Sequence, residues 1–398
     1  MSERETILRI AAKGDGVTAS GRHVADSVPG DSVAPDGSVT PGPHRVDPPC
    51  AHFPQCGGCQ LQHADEEALR QFVTDRVVNA AQGQGLTPET LLPTHLSPPN
   101  SRRRATLHGM RTAKRFLLGF REGRSHKIID MRECHILAPE LFALVESLRR
   151  LLNRFADKRP VDVALSLADQ GVDCSLAGID PEGLAATEAL LDFARDHGLA
   201  RLAIDRGYGE DVVWEPEPVT VTLSGVPVGF PGNAFLQPTL DGERVLIADA
   251  REYLAGATRI ADLFAGLGTF AFALAGPAKV LAVEAARDPH LACKTAANMR
   301  GLPVHTLHRD LFRNPLQAEE IGKLDAALLD PPRAGARDQV AEIAASEIAR
   351  IAYISCNPSS WARDAKTLCE AGFRLERLRP VGQFRWSTHV ELTSLFVR

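Results

Sequence analysis

Three residues in the C-terminal third of the chain have side chains that could perform covalent and acid–base chemistry. Cys356 lies in YISCNP, between a predicted strand and a predicted helix, where the helix N-terminus favours a nucleophilic thiolate. Asp330 begins DPPRAG at the end of another predicted strand. Glu391 lies among apolar residues of the last strand, where burial would raise its pKa and make it a base. Taken singly, these residues could be a core cysteine, a strand exit and an exposed edge-strand acid; together they predict a reactive site.

A second group of reactive side chains lies near the N-terminus. Three of the eight cysteines, Cys50, Cys56 and Cys59, fall within ten residues, and Cys134 is the next in sequence. Four thiolates suit either an iron–sulfur cluster or a tetrahedral zinc ion, and free thiols are the third reading. Zinc ribbons carry two close cysteine pairs, so the three-plus-one spacing favours a cluster. The other cysteines are expected to be unreactive, and we place His52, His63 and His135 outside the ligand set.

The segment between these cysteines is strongly basic. Residues 101–134 contain ten Lys and Arg and three acids, a local charge of +7 in a chain of net charge −5. Such a patch predicts contact with RNA phosphates, with a solvated face as the alternative. Phe116 and Phe120 could stack on bases, although core packing suits each better. The candidate RNA-binding residues are Arg102, Arg103, Arg104, Arg111, Lys114 and Arg115.

A glycine-rich loop indicates a nucleotide-like ligand. The run DLFAGLGTF (262–270) follows a predicted strand, and its glycines allow a ligand to approach the backbone closely. Glu284 ends the next strand, 22 residues after Asp262, where a carboxylate suits a ribose diol. Asp310 follows the third strand and could accept from an adenine amino group. The loop lacks the full dinucleotide-binding spacing, and a tight turn is the alternative; its form resembles the S-adenosylmethionine loop of class I methyltransferases.

The elements that must position these residues divide the chain into three predicted domains. From about residue 240, strands and helices alternate as in a parallel α/β sheet. The boundaries that we predict are a short β module over residues 1–48, a central α+β domain over 49–230 and a catalytic α/β domain over 231–398. Helices are predicted over residues 64–83 and 139–156. A flexible tail is the alternative to the N-terminal β module.

The composition fits an ordinary globular chain. Apolar residues make up 44% and charged residues 24%, and no run is long and apolar enough to span a membrane. The N-terminus shows no apolar signal core, so a cytoplasmic location is the expectation.

Several motifs together resemble the RNA uracil-5 methyltransferase family, the TrmA and RumA type. They are GNAFLQPT, DLFAGLGTF, AVEA, DPPRAG, YISCNP and HVEL, and the resemblance covers residues 50–134 and about 230–398. It implies a class I, Rossmann-like methyltransferase domain. It also implies S-adenosylmethionine binding by Gln237, Phe264, Glu284 and Asp330, with Gly266 in the loop; Cys356 would be the nucleophile and Glu391 the general base. Where the family often has Asn, two residues after the glutamine, this chain has Thr239.

The resemblance also bears on the cysteines and on the substrate. The RumA branch holds a 4Fe–4S cluster with this cysteine pattern, which implies Cys50, Cys56, Cys59 and Cys134 as ligands, and the first 47 residues resemble the start of an RNA-binding TRAM domain. We therefore expect S-adenosylmethionine-dependent methylation of uridine C5 in RNA, specifically large-subunit rRNA, by a monomeric enzyme through a covalent adduct between Cys356 and C6. The alternatives are a tRNA uridine-5 enzyme, an RNA cytosine-5 enzyme and a non-catalytic iron–sulfur RNA-binding protein. The absence of a second cysteine at the DPP strand exit argues against the cytosine enzyme.

Overall fold

The computed structural model describes residues 4–123, 125–155 and 157–398, and the chain divides into two compact units. The first unit contains the described residues as far as Val73, together with Ser97–Glu217 and Phe384–Thr388. The second unit contains Thr74–Leu96, Pro218–Gln383 and His389–Arg398.

Five short strands begin the first unit. They are β1 (Glu5–Ile10), β2 (Gly16–Thr18), β3 (His23–Val24), β4 (Ser32–Val33) and β5 (Val39–Thr40). They form one sheet in the order β3-β2-β1-β4-β5, with every pair antiparallel. Ile7, Val28 and Val33 are buried, and the buried carboxylate of Asp31 pairs with Arg45 at 2.5 Å. The predicted β module is therefore present, and the flexible-tail alternative is wrong.

One helix and two short strands follow along the chain. Helix α1 (Glu66–Gln82) confirms the helix predicted over residues 64–83. It starts in the first unit and ends in the second, where Gly83 donates its N–H to the carbonyl of Asn79. Strands β6 (Thr90–Leu91) and β7 (His95–Leu96) belong to the second unit.

A six-stranded sheet with helices forms the larger part of the first unit. Its elements are β8 (Arg104–Arg111), β9 (Phe116–Gly119), α2 (Pro139–Ala143), α3 (Val145–Phe155), β10 (Val161–Ala168), β11 (Gly171–Ala177), α4 (Leu184–Asp196), β12 (Arg201–Asp205) and β13 (Glu210–Trp214). The strand order is β13-β12-β11-β10-β8-β9. The single helix predicted over 139–156 is wrong: Leu144 donates to the carbonyl of Leu141, a tighter turn that separates α2 from α3.

The remaining elements lie in the second unit. They are β14 (Thr220–Leu223), β15 (Val226–Gly229), α5 (Leu240–Tyr253), β16 (Arg259–Leu263), α6 (Thr269–Leu274), β17 (Lys279–Glu284), α7 (Arg287–Met299), β18 (Val304–His308), α8 (Ala318–Ile321), β19 (Ala326–Leu329), α9 (Arg337–Ala345), β20 (Arg350–Ser355), α10 (Pro358–Glu370), β21 (Arg374–Gly382) and β22 (Glu391–Val397). The predicted alternation of strands and helices from about residue 240 is confirmed.

A nine-stranded mixed sheet organises this unit. Its order is β18-β17-β16-β19-β20-β22-β21-β6, and β7 also pairs with β21. The strands from β18 to β20 are parallel, whereas β22 runs antiparallel to both β20 and β21. Every residue of β19 is buried, as expected for a parallel strand covered on both faces. The order reverses between β16 and β19, and ligands of open α/β sheets bind at such a point, beyond the carboxyl ends of the strands.

Across the described ranges, no helix combines the length and the apolar character that a membrane crossing requires.

Candidate active site and cysteine cavity

The register of the parallel strands brings the predicted donor-binding residues to one edge of the sheet. Leu263 pairs with both Val283 and Leu329, so the residues that follow in the same register are Phe264, Glu284 and Asp330. Asp330 also donates its N–H to the carbonyl of Leu263 at 3.2 Å. Three residues from separate motifs therefore lie side by side because their strands are hydrogen-bonded neighbours.

The loop after β16 has a backbone that few side chains permit. Phe264 has a φ of 66° and Gly268 a φ of 93°, both in the left-handed region. A Cβ on Gly268 would lie 2.7 Å from a ring carbon of Phe272 and 2.8 Å from Sγ of Cys293. Glycine is therefore required there on two grounds, and the loop turns sharply from β16 into α6.

The carboxylate of Glu284 is held against this loop. One oxygen accepts from the N–H of Gly266 at 2.8 Å and the other from the N–H of Ala286 at 2.6 Å. A carboxylate oxygen can accept more than one hydrogen bond, so both oxygens keep acceptor capacity for hydroxyl groups of a ligand. The arrangement is compatible with the predicted role of Glu284 toward a ribose diol.

Asp310 lies beyond the end of β18, beside an aromatic residue that the sequence analysis missed. Its carboxylate accepts from the N–H of Phe312 at 2.9 Å. The ring of Phe312 lies 5.4 Å from the ring of Phe264, centroid to centroid, and Phe312 is 47% exposed. An exposed phenylalanine two residues after an acid was the only available signal, and it becomes informative once Phe264 is placed beside it.

Gln237 joins Asp330 to two further buried polar residues. Its amide nitrogen lies 3.3 Å from a carboxylate oxygen of Asp330, and its amide oxygen accepts from Gln383 at 3.1 Å. Thr239 caps helix α5 by accepting from Gly242, and its hydroxyl lies 3.5 Å from the amide oxygen of Gln383. Thr239, noted above as a departure from the family pattern, thus has a defined place; Gln383 was not predicted.

Cys356 and Glu391 face each other across two antiparallel strands. Ser355 pairs with Leu392 in the β20–β22 ladder, so the next pair in that register is Cys356 and Glu391. Strand β22 lies between β20 and β21, and Glu391 is 5% exposed. The alternative reading of Glu391 as an exposed acid on an edge strand is therefore wrong.

Burial controls the protonation of this region. Burial raises the pKa of Glu391 to about 8, and the nearby carboxylate of Asp330 adds to the rise. Burial likewise raises the pKa of Asp330 to about 7. Asp262, buried beneath them in β16, has a pKa raised to about 8 by burial and by Asp330. The expected rise in the pKa of Glu391 is confirmed.

The Cys356 thiol differs from its predicted state. Burial raises its pKa to about 11, and the carboxylates of Glu391 and Asp330 add to the rise while Arg333 opposes it. The helix N-terminus was expected to favour a thiolate, and here nearby acids and loss of solvent act against that effect. Cys356 is partly exposed.

The loop that starts at Asp330 is fixed by the N-terminus of α10. Asn357 caps that helix by accepting from Ser359, and its amide nitrogen donates to the carbonyl of Arg333 at 2.8 Å. The hydroxyl of Ser360 donates to the same carbonyl at 3.0 Å. The residue next to Cys356 therefore ties the strand exit of β19 to that of β20, which fixes the spacing of the two motifs.

The four predicted metal ligands surround one cavity in the first unit. Cys50, Cys56, Cys59 and Cys134 all line it, together with Phe120 and Met131 among others, and all four are free thiols. Burial raises the pKa of each thiol, to about 12 for Cys59, and repulsion from the neighbouring cysteines contributes for each of Cys50, Cys56 and Cys59. Four soft donors in one apolar cavity are the donor set that a cluster requires. Within residues 4–123, 125–155 and 157–398, however, no three Cys, His, Asp or Glu side chains are arranged to hold a metal ion, so the cluster stays a prediction.

The basic segment divides into a buried and an exposed half. Arg103 is 6% exposed, and the guanidinium of Arg102 lies over the rings of Phe120 and Phe384 at 5.7 and 5.2 Å from their centroids. Arg104 is partly buried, which lowers its pKa. Arg111, Lys114 and Arg115 are exposed around the β8–β9 turn. Phe116 packs in the core and Phe120 against the cysteine cavity, and Arg124 of the same segment lies outside the described residues.

Comparison with known proteins identifies the class. The family model described as tRNA (uracil-5-)-methyltransferase matches residues 312–398. An RNA methyltransferase of Zymomonas mobilis, named as uncharacterized, is 48% identical over 98% of this chain and 99% of its own length. The 23S rRNA (uracil(1939)-C(5))-methyltransferase RlmD of Pectobacterium atrosepticum is 32% identical over 90% of this chain and 82% of its own length.

A solved structure shares the fold. The tRNA (uracil-54, C5)-methyltransferase of Pyrococcus abyssi, solved with S-adenosyl-L-homocysteine, superposes with a TM-score of 0.77 at 22% identity and covers 99% of both chains. The chain therefore belongs to the RNA uracil-5 methyltransferase family, whose members use S-adenosylmethionine. The predicted family, enzyme class, methyl donor and RNA substrate are confirmed at this level.

Proposed function

We propose that this enzyme methylates C5 of a uridine in large-subunit rRNA, with Cys356 as the nucleophile and Glu391 as the general base. The observation that carries the proposal is the pairing of these two residues across β20 and β22, with the Asp330 carboxylate close enough to raise both pKa values. A thiol and a carboxylic acid with raised pKa values in one buried site suit a reaction that must deprotonate both a nucleophile and a carbon.

The reaction needs a nucleophile because uridine C5 is itself a poor one. Addition of the Cys356 sulfur to C6 makes C5 nucleophilic, and S-adenosylmethionine supplies the methyl group that C5 accepts. Glu391 then removes the C5 proton, and the sulfur leaves C6 by β-elimination. Each uridine therefore gains a methyl group, loses one proton and restores the free cysteine.

The raised pKa of Cys356 sets a condition on the first step. Because the resting group is a thiol, it must give its proton to water before or during attack on C6, and the thiolate released by β-elimination takes a proton back. Burial and the two neighbouring acids make a free thiolate costly, which protects the residue from reaction in the absence of RNA. Deprotonation of the thiol therefore accompanies its attack on the target uridine in this proposal.

The donor site is proposed at the edge formed by β16, β17, β18 and β19. Glu284 would accept from the ribose hydroxyls, Asp310 from the adenine amino group, and Gln237 and Asp330 would bind the remaining polar part of the donor. Gly266 keeps the loop open, since no heavy atom lies within 4 Å of the place that its Cβ would occupy. Phe264 and Phe312 add two rings that suit contact with the adenine face.

Large-subunit rRNA is favoured over tRNA by two observations. The relative at 32% identity is named for 23S rRNA, and the four-cysteine cavity fits the cluster-bearing branch of the family. The family model and the Pyrococcus protein are named for tRNA, so tRNA is the second candidate. A four-iron cluster spreads its thiolates over several metal atoms, whereas zinc needs them all about 2.3 Å from one ion. The three-plus-one spacing of the cysteines favours the cluster, because zinc ribbons carry two close cysteine pairs.

RNA contact is proposed for the exposed turn between β8 and β9. Arg111, Lys114 and Arg115 are the predicted basic residues that reach solvent most freely, so they are the ones best placed for phosphate. Arg102 lies between aromatic rings, and its charge faces the thiols of Cys59 and Cys134. It would link the cysteine set to the start of β8 and would not contact phosphate directly.

The experiment that tests the proposal is a methyl-transfer assay on defined RNAs. Purified protein and S-adenosylmethionine labelled in the methyl group are incubated with unmodified 23S rRNA, 16S rRNA or tRNA, and the nucleosides are separated. Label in 5-methyluridine from 23S rRNA alone is expected. Label in tRNA would favour the second candidate substrate, tRNA, over 23S rRNA. Label in 5-methylcytidine would exclude methylation of uridine.

A further inference from the structure

A line of hydrogen bonds runs through the second unit to Asp330. The hydroxyl of Thr239 lies 3.5 Å from Oε1 of Gln383, and Nε2 of Gln383 donates to Oε1 of Gln237 at 3.1 Å. Nε2 of Gln237 then donates to Oδ2 of Asp330 at 3.3 Å. Thr239, Gln237 and Gln383 are no more than 3% exposed, so water does not compete freely for these groups.

The line starts at a helix cap. Thr239 caps helix α5, and its oxygen accepts from the N–H of Gly242 at 3.2 Å. Its hydroxyl proton is directed to the Gln383 amide oxygen, and the Gln383 NH2 group faces Gln237. A Cβ on Gly242 would lie 2.5 Å from Cγ of Gln383, so the glycine makes the space in which this side chain lies.

We propose that Gln383 is a positioning residue that orients the Gln237 amide, so that Gln237 presents its NH2 group and not its oxygen to Asp330. The proposal rests on the donor site proposed above, because Gln237 and Asp330 belong to it. Gln383 itself acts through Gln237. Without it, the Gln237 amide could rotate by half a turn and offer Asp330 an acceptor.

The orientation matters because Asp330 can be either acid or carboxylate near neutral pH. Its pKa is raised to about 7 by burial, and an N–H donor favours the ionised form. The titratable groups that face it are Asp262 from β16, Glu391 from β22 and Cys356 after β20. All three are acids, so none supplies a positive charge, and the Gln237 NH2 group becomes the neighbour that favours the carboxylate.

Two substitutions at Gln383 distinguish the effect of hydrogen-bond direction from the effect of side-chain packing. Gln383→Glu keeps the shape, but its ionised side chain can only accept from Gln237, which turns the Gln237 oxygen to Asp330. Gln383→Met removes the amide and keeps a similar volume. Gln339→Met is the matched control, because Gln339 is equally buried in this unit and its amide bonds only to the backbone of Leu316 among the bonds described.

The readout is the dissociation constant of S-adenosylhomocysteine, measured by calorimetry at pH 6 and pH 8. Relative to the wild-type protein at the same pH, Gln383→Glu is expected to weaken binding roughly tenfold at pH 8 and much less at pH 6. At the lower pH either the new carboxyl group or Asp330 is protonated, and the line regains a donor at each step. Gln383→Met should weaken binding about threefold at both pH values, and Gln339→Met should lower only the melting temperature.

Equal losses for Gln383→Glu and Gln383→Met at both pH values would overturn the proposal, since packing alone would explain them. Unchanged binding in both variants would also overturn it. Absence of binding by the wild-type protein would refute the donor site itself, which is a different failure.

The orientation of the Gln237 amide can also be measured on the unliganded wild-type protein. This measurement does not depend on whether the variants fold. The side-chain amide signal of Gln237 is followed with 15N-labelled glutamine and assigned by its loss in Gln237→Leu. We expect its NH2 protons to shift as Asp330 titrates. A signal that does not respond to that titration would show that the NH2 group faces elsewhere.

Discussion

The reactive edge of the large sheet and the cysteine cavity of the first unit both hold thiols whose pKa is raised by burial, yet their neighbours differ. Cys356 has the acids Glu391 and Asp330 beside it and Arg333 as the opposing charge. The cavity cysteines repel one another, and the charge of Arg102 faces two of them. Groups that exchange protons surround the first thiol, whereas the second set has like thiols and one guanidinium as its neighbours.

A raised pKa therefore does not by itself identify the function of a buried cysteine. At Cys356 it describes a nucleophile that stays protonated until its substrate arrives. In the cavity it describes ligands whose repulsion a bound cation would relieve. The neighbours of a buried thiol, more than its pKa, indicate its chemistry.

The largest expected effect is that of Cys356→Ala. Methyl transfer should fall by at least about a thousandfold, because the C6 addition that activates C5 is lost. Donor binding should be unchanged, since the sulfur is proposed to touch only the base. Cys369→Ala, in the helix that follows Cys356 but outside the site, is the control and should keep full activity. Substantial turnover by Cys356→Ala would show that Cys356 is not the nucleophile, and the distinction between a catalytic thiol and the cavity thiols would be lost.

Glu391→Gln should stop the reaction at a later stage. The methylated base would remain bound to Cys356, because elimination requires loss of the C5 proton, and turnover should fall about a hundredfold or more. Denaturing gels after incubation with RNA and donor should show a slower protein band. Glu376→Gln, on neighbouring strand β21, should give no such band. Normal turnover without an adduct in Glu391→Gln would assign the base elsewhere.

Cys56→Ser and Cys59→Ser should affect the first unit selectively. Anaerobically purified wild-type protein is expected to be brown with about four irons per chain, and either variant should lose the colour. RNA binding should weaken roughly tenfold, because the cluster would tie Cys50–Cys59 to the end of the basic segment at Cys134, while donor binding stays the same. Cys369→Ser should keep its iron. Stoichiometric zinc in the wild-type protein, or equal loss of donor and RNA binding, would contradict this account.

The wild-type enzyme itself is expected to depend on pH. Glu391 must be ionised to remove the C5 proton, and its pKa is about 8. Release of tritium from 5-tritiated uridine in RNA, measured from the adduct after Cys356 has added to C6, should therefore rise about tenfold per pH unit below pH 8 and level off above it. Stability should change in the opposite sense: the folded state holds this proton more tightly than the unfolded chain, so the contribution is full below pH 4.5 and is lost as pH rises through 8. A rate independent of pH between 6 and 8 would exclude Glu391 as the titrating base.

The sequence was most informative for residues whose position in the site depends on the local hydrophobic pattern and on the order of the strands. Apolar runs predicted β16, β17, β19 and β20, and the residues at the ends of β17, β19 and β20 could then be assigned to a common edge. Asp330 and Cys356 were predicted in this way. Glu391 and Asp330, the two acids close to Cys356, were both predicted as site residues. The sequence did not predict how strongly burial raises the pKa of these acids and of the thiol.

The residues that the sequence did not predict act through contacts distant along the chain. Gln383 contacts Gln237, 146 residues away, and neither the spacing nor the residue type indicates the pair. Arg102 looked like a phosphate ligand because it lies in a basic run, yet it packs against Phe384 from the far end of the chain. Charge counts along a sequence cannot distinguish a buried guanidinium from an exposed one.

The most direct test of the central claim uses RNA that carries 5-fluorouridine. Fluorine at C5 cannot be removed as a proton, so the adduct that follows methyl transfer should persist through denaturation. We expect 23S rRNA containing 5-fluorouridine, incubated with the protein and S-adenosylmethionine, to become linked to the peptide that contains Cys356. Absence of a linked species, or linkage to any other residue, would exclude Cys356 as the nucleophile.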